Sequence, residues 1–421
     1  MRRSLPLNRI FALADQGFQG LGNLAATAVL GRMLPTQEFA EVGIAVAAYF
    51  FVSGFHRSAV VLPYITEHVV FTDARAERTY HSDWWWLSIL GGLILSAVLV
   101  VVAIVLPLLI PELGWLSWPL LLGGAITGPM TSAEFGRRWL YRRERADLAA
   151  LLSLVFFLVV IGAAAVAGNL RATSGSAMFA WFAASTVATI VPLWSSGLRR
   201  PSLSRSLDVL RPHRHFAIWL SLNMFPYNVY STATIVMFVG ALFGPTAAAI
   251  FTAARTLTNP AVSITSAVDS LDKPRAVRAL AEGGLAGLQH SISRTRRLIL
   301  GITGLYLAVV ALLAGPLITL VFGGQYDGAA GEVRLLALAF FLFCMNLPSE
   351  TLLIVLRKSR TLLVTRLLTA LITAGVLILA LDHGARGMAL AIATSQLANL
   401  LFLTIAERLA IYREERQLLA A

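Results

Sequence analysis

A chain of 421 residues that is 57% hydrophobic and only 13% charged has too much apolar surface for a soluble fold, which carries roughly 25% charged residues. Its net charge of +12 does not mark a nucleic-acid binder: the basic residues fall between apolar runs on one side only and form no aromatic–basic cluster, so they read as topology signals. The single cysteine, Cys344, lies inside an apolar run, which excludes a disulfide within the chain and any multi-cysteine metal site.

The opening MRRSLPLNRI resembles the basic region of a signal peptide. The run after it carries Asp15, Gln16, Gln19 and Asn23 and lacks an A-x-A cleavage site, so a retained first helix is expected. Apolar runs long enough to span a bilayer follow near residues 10–32, 41–65, 84–110, 115–136, 148–168, 176–198, 216–240, 246–270, 298–322, 333–356, 361–381 and 385–406. Twelve spans put both ends on one side. With the N-terminus inside, 28 of the 34 lysines and arginines fall in inside segments, so a bacterial inner-membrane protein with both termini cytoplasmic is expected.

The longest inside segments, about 199–215 and 271–297, divide the spans into six and six. The expected organisation is an N-terminal lobe (1–198), a cytoplasmic connection (199–215) and a C-terminal lobe with a cytoplasmic tail (216–421). Two six-span halves share one orientation, related by an axis along the membrane normal. Gly31 to Thr36 (GRMLPT) after the first span resembles Gly240 to Thr246 (GALFGPT) after the seventh, the matching place in each half.

Polar side chains facing lipid are costly, so polar residues at helical spacing point to protein or to a water-filled cavity. Asp15, Gln19 and Asn23 form such a stripe in the first span. Ser53, His56 and Arg57 fall in the second, and Asn223, Tyr227, Tyr230 and Thr234 in the seventh. Thr252, Arg255, Asn259, Ser263 and Ser266 fall in the eighth, with Pro260 expected to kink it. Each residue alone fits helix-to-helix bonding. Their concentration in the first two spans of each half points to a central cavity.

Arg57 and Arg255 either snorkel to the nearer surface or attract an anionic ligand, whose phosphate oxygens the guanidinium fork matches. The substrate-binding candidates are Arg255, Arg57, Asn223, Tyr227, Tyr230 and Asn259. The ion-coupling candidates are Asp15, His56 and Glu350. Asp15 reads as a proton or cation site or as counter-ion to an arginine, and His56 as a group titrating near neutrality or a hydrogen-bonded core histidine. Glu350 and Asn346, one turn apart, are candidates to line the path. Glu134 is expected to pair with Arg137 or Arg138, and Asp269 with the basic segment that follows it. No nucleotide-binding glycine loop, H-E-x-x-H or G-x-S-x-G occurs, and neither cofactor nor metal is expected.

Three patches are family-like: LADQGFQGLGNLAATAVLGRMLPTQEFAEVGIA, FGPTAAAIFTAARTLTNPAVSITSAV and LITLVFGGQYDGAA. In them the chain resembles the multidrug/oligosaccharidyl-lipid/polysaccharide exporter superfamily, in particular its polysaccharide-transporter branch of O-antigen-type flippases. That resemblance implies an all-α membrane protein of twelve transmembrane helices in two six-helix lobes around a central cationic cavity. It implies alternating access that flips an undecaprenyl-pyrophosphate-linked oligosaccharide to the periplasmic leaflet, with membrane lipid, a coupling proton or sodium ion and polysaccharide polymerase machinery as partners. Arg255 stands where such transporters often carry a basic residue. A multidrug or lipid II exporter of the same superfamily is the alternative, followed by a polysaccharide polymerase and a non-transporting membrane scaffold.

Overall fold

The computed structural model describes residues 5–66, 73–196 and 202–420. In lipid a backbone must satisfy its own hydrogen bonds, which favours helices throughout, and among the described residues there is no strand. The helices are α1 (Leu5–Met33), α2 (Thr36–His56), α3 (Leu62–Thr66), α4 (Ala74–Leu109), α5 (Ser117–Arg142), α6 (Ala146–Leu170), α7 (Ser174–Ser195) and α8 (Leu203–Leu210). They continue as α9 (Arg214–Leu222), α10 (Met224–Tyr230), α11 (Ile235–Thr258), α12 (Pro260–Leu312), α13 (Ala314–Phe322), α14 (Ala330–Val355), α15 (Ser359–Ala380) and α16 (Gly384–Ala420). A π-helical turn, Arg57–Val61, joins α2 to α3.

These helices form twelve passes, because two glycines break helices that are otherwise continuous. At Gly244 the backbone takes φ 82° and ψ −178°, a conformation open to glycine, and the following Pro245 starts a new helix. The chain folds back there, since a Cβ at Gly240 would lie 3.4 Å from the Cβ of Ala248. Gly284, at φ 58°, makes the same turn in α12, and a Cβ at Gly287 would sit 2.5 Å from the Ala279 carbonyl oxygen. The inside segment 271–297 is therefore a helical hairpin. The connection at 199–215 contains α8 and a 3₁₀ turn, Arg211–His213, residues 199–201 lying outside the described part.

Among the described residues, eight helical stretches are long and apolar enough to cross a membrane by length and composition. Two of these, Ser204–Thr265 and Ser359–Gln417, contain more than one pass. Helices α1 and α5 do not meet the criterion, and they carry Asp15 and the Glu134–Arg138 group.

Two compact units divide the chain: Met1–Asn228 with Ala233–Ala249, and Val229–Thr232 with Ile250–Ala421. In the first, α1 packs on α6, and α5 lies against α2, α4 and α7. Gly123 lets α2 and α5 approach closely, since a Cβ there would sit 2.8 Å from the Ala45 carbonyl oxygen. Tyr64, Trp84, Trp85, Phe135 and Trp139 fill an aromatic core in this unit. In the second unit α14 packs between α12 and α16, and α15 lies along α16.

Candidate functional site

Five charged side chains gather inside the first unit. Arg57, on the π turn after α2, donates from Nε to Glu134 Oε1 of α5 at 2.9 Å. The two ends of this pair differ: the Arg57 side chain is 49% exposed and that of Glu134 is 6% exposed. One turn on, Arg137 approaches Asp15 of α1 at 3.5 Å, and Arg138 lies beside it on the same helix. Glu134 with Arg137 and Arg138 forms an i, i+3, i+4 set, so α5 presents its acid and two bases along adjoining faces. Tyr49 and Tyr227 lie within electrostatic reach of Arg57.

Asp15 is held far more completely than Glu134. It has no solvent exposure and accepts hydrogen bonds from Ser153 of α6, from the Tyr141 hydroxyl at 2.5 Å and from Gln16 Nε2 at 3.1 Å. Three guanidinium groups thus face two carboxylates, leaving one positive charge in excess. A buried, hydrogen-bonded arrangement with surplus cation suits a phosphate-bearing ligand.

The structure corrects two of the sequence expectations here. Glu134 pairs with Arg57, 77 residues away, and not with its own-helix arginines, because Arg57 reaches it from the facing helix at hydrogen-bond distance. The stripe of the first span faces neighbouring helices rather than an open path. Gln19 donates to Ser153 Oγ at 3.1 Å, and Asn23 accepts from Trp181 Nε1 at 3.4 Å, the interhelical bonding typical of membrane bundles.

His56 is set about 100° around the helix from Arg57. It is 2% exposed and its Nε2 meets the Ser88 hydroxyl at 3.1 Å and carbonyl at 3.2 Å, the setting of a core histidine. The seventh-span stripe is not one helix face. Pro226 lacks an N–H and crowds the carbonyl four residues before it, and α9 ends at Leu222. Asn223 is buried in that break, donating to the Trp219 carbonyl at 2.9 Å, whereas Tyr227 is half-buried in α10. A second interruption follows at residues 231–234, where the Thr234 hydroxyl donates to the Asn228 carbonyl at 2.6 Å.

In the second unit Arg255 is 9% exposed, near the end of α11 and eleven residues past Gly244, or about 16 Å along the helix. Asn259 is half-buried at the junction of α11 and α12, where Pro260 removes a backbone donor. Tyr230 is buried, and its carbonyl accepts from Gln396 Nε2 at 3.1 Å. Gln396 Oε1 in turn accepts from Asn346 at 3.0 Å. Glu350 faces Arg366 at 3.7 Å, and its neighbour Ser349 joins Arg296 on Glu407. Glu350 and Asn346 are thus tied to α15 and α16. The side chains of Ser266 and Asp269 lie outside the described residues.

Sequence reasoning missed Arg137, Arg138, Tyr141 and Ser153 as parts of the cluster. The run EFGRR in an otherwise apolar span was the available signal, since it places three charges on α5 within one turn.

A family model described as "Polysaccharide biosynthesis protein" matches residues 29–331. No curated protein matches the chain in sequence. Among solved structures, the chain is similar to an inward-facing multidrug resistance MATE family transporter of the MOP superfamily, with a TM-score of 0.69 and 16% identity over 97% of this chain and 99% of that one. It is similar to the same kind of transporter in an outward-facing conformation, with a TM-score of 0.62 and 15% identity over 97% and 95% of the two chains. A MOP superfamily transporter from Pyrococcus furiosus, whose binding pocket has reversed polarity suggesting a different function, matches with a TM-score of 0.61 and 15% identity over 96% and 94%.

Proposed function

The chain belongs to the polysaccharide biosynthesis protein family and shares the fold of MOP superfamily transporters, and from that premise we propose that it is a membrane transporter that flips an undecaprenyl-pyrophosphate-linked oligosaccharide from the cytoplasmic to the periplasmic leaflet. The observation that carries the proposal is the surplus positive charge around Arg57, whose side chain is half-exposed while its partner Glu134 is buried. On the predicted topology the cluster lies in the cytoplasmic third of the bilayer, where a substrate head group made in the cytoplasm arrives first. Arg255 lies in the outer part of its own pass on the predicted topology.

The lipid tail stays in the bilayer, and the costly part of the cargo is its pyrophosphate charge. Each charge-assisted hydrogen bond from an arginine offsets roughly 1.5–3 kcal/mol. Tyr227, close to Arg57, and Asn223, Tyr230 and Asn259, at breaks in the helices, supply polar groups suited to sugar hydroxyls. Export of multidrug compounds is the second reading, favoured by the likeness to MATE transporters. A cationic drug meets a like charge at Arg57, which disfavours that cargo here.

The test is flipping of lipid-linked sugar in reconstituted vesicles, normalised to folded protein. Arg57→Gln and Arg255→Gln each slow it strongly, and Arg→Lys at either site retains part of the rate because charge survives without the bidentate fork. Full activity in both glutamine variants overturns the proposal.

A further inference from the structure

The two acids of the first-unit cluster are held in opposite ways. Asp15 is enclosed and engaged by Ser153, Tyr141, Gln16 and Arg137. Glu134 meets Arg57 through a single Nε–Oε1 contact at 2.9 Å, side-on rather than as a fork. That contact uses one of the five N–H groups a guanidinium offers, and nearly half of the Arg57 side chain faces accessible space.

We propose that Glu134 is a tethered competitor for the anion site, occupying Arg57 in the empty transporter and yielding it when a pyrophosphate group arrives. Glu134 has somewhere to go. Arg138 and Arg137 lie four and three residues on along α5, within electrostatic reach of its carboxylate, so the displaced charge keeps cationic neighbours and is not stranded in a buried site. The incoming group gains the free fork of Arg57, and its departure is answered by the return of Glu134. A fixed carboxylate in this role lowers affinity for the anion by the fraction of time it holds the arginine. It thereby prevents a buried cationic site from retaining a polyanionic cargo after transport. Glu134 acts through Arg57 and is a positioning residue for release.

The inference rests on the reading of Arg57 as an anion ligand, and the experiment separates the two. Full-length protein in nanodiscs is titrated with farnesyl pyrophosphate, with farnesol as the uncharged control and inorganic pyrophosphate to separate head-group binding from binding that also needs the lipid tail. Glu134→Gln is expected to bind farnesyl pyrophosphate about tenfold tighter, Arg57→Gln about tenfold weaker, and the double variant like Arg57→Gln alone. Flipping by Glu134→Gln is expected to slow at saturating substrate, because release lags. Unchanged or weaker binding in Glu134→Gln, with Arg57→Gln still weakened, overturns the competitor and leaves the anion-ligand reading standing. A gain in Glu134→Gln that persists without Arg57 also overturns it, because the carboxylate then acts through the general field. Unchanged binding in Arg57→Gln overturns the underlying reading. Should Glu134→Gln fail to fold, Glu134→Asp keeps the charge but withdraws it by one methylene; intermediate tightening is expected, and wild-type affinity refutes the proposal.

Discussion

Replacing Asp15 by asparagine asks whether this acid is an ion carrier or a counter-ion. Breaking a buried ion pair by removing one partner costs about 3–5 kcal/mol. Arg137 keeps 19% exposure and has Glu134 one turn away, which places the loss at the low end, about 3 kcal/mol. Asparagine retains an acceptor for the Tyr141 hydroxyl but turns its amide toward another donor, so little of the hydrogen bonding is recovered. For a unit of this size, about 3 kcal/mol lowers Tm by roughly 6–12 °C. All nine tryptophans lie between Trp84 and Trp219, inside the first unit, so intrinsic fluorescence during a thermal melt in detergent reports that unit selectively. The expected result is a lowered Tm, with the gradient dependence of flipping unchanged in the protein that remains folded. A Tm within about 2 °C of wild type, together with lost dependence on a proton or sodium gradient, refutes this reasoning and makes Asp15 a coupling site.

His56→Gln, losing a histidine bonded to Ser88, is expected to leave gradient dependence intact and to lower stability by about 1 kcal/mol, read by the same melt. Gly123→Ala forces a Cβ against the Ala45 carbonyl oxygen, a backbone atom that cannot rotate aside, so a loss of about 1–3 kcal/mol is expected. Topology is read by single cysteines at Gly244, Thr246, Arg143 and Arg205 in a Cys344→Ala background. Only the first two are expected to label from outside, and outside labelling at 143 refutes the twelve-pass arrangement.

Hydropathy made the passes legible because apolar run length is a local property. The same holds for the turns at Pro35 and at Gly244–Pro245, where proline and glycine dictate the backbone within a few residues. The break at Asn223 was encoded in Pro226, yet the polar spacing over 223–234 suggested an unbroken face. Hydrogen bonds across α1, α6 and α7 absorbed Asp15, Gln19 and Asn23, and nothing local distinguishes such residues from cavity-lining ones. The Arg57–Glu134 pair was hidden for the same reason. Its partners lie on different helices, and i, i+4 neighbours on α5 offered a nearer and equally plausible match.

The π turn that carries Arg57 accommodates one residue more than an α-helical turn of the same rise. Deleting one residue within Arg57–Val61 would restore ordinary winding and rotate everything on one side of it by about 100° relative to the other, moving either Arg57 off Glu134 or the aromatic contacts of Tyr64 off Phe135. The position of the cluster is therefore set by length and not by side-chain choice. A single deletion within the turn would disperse the cluster, which no side-chain substitution at Arg57 or Glu134 could restore.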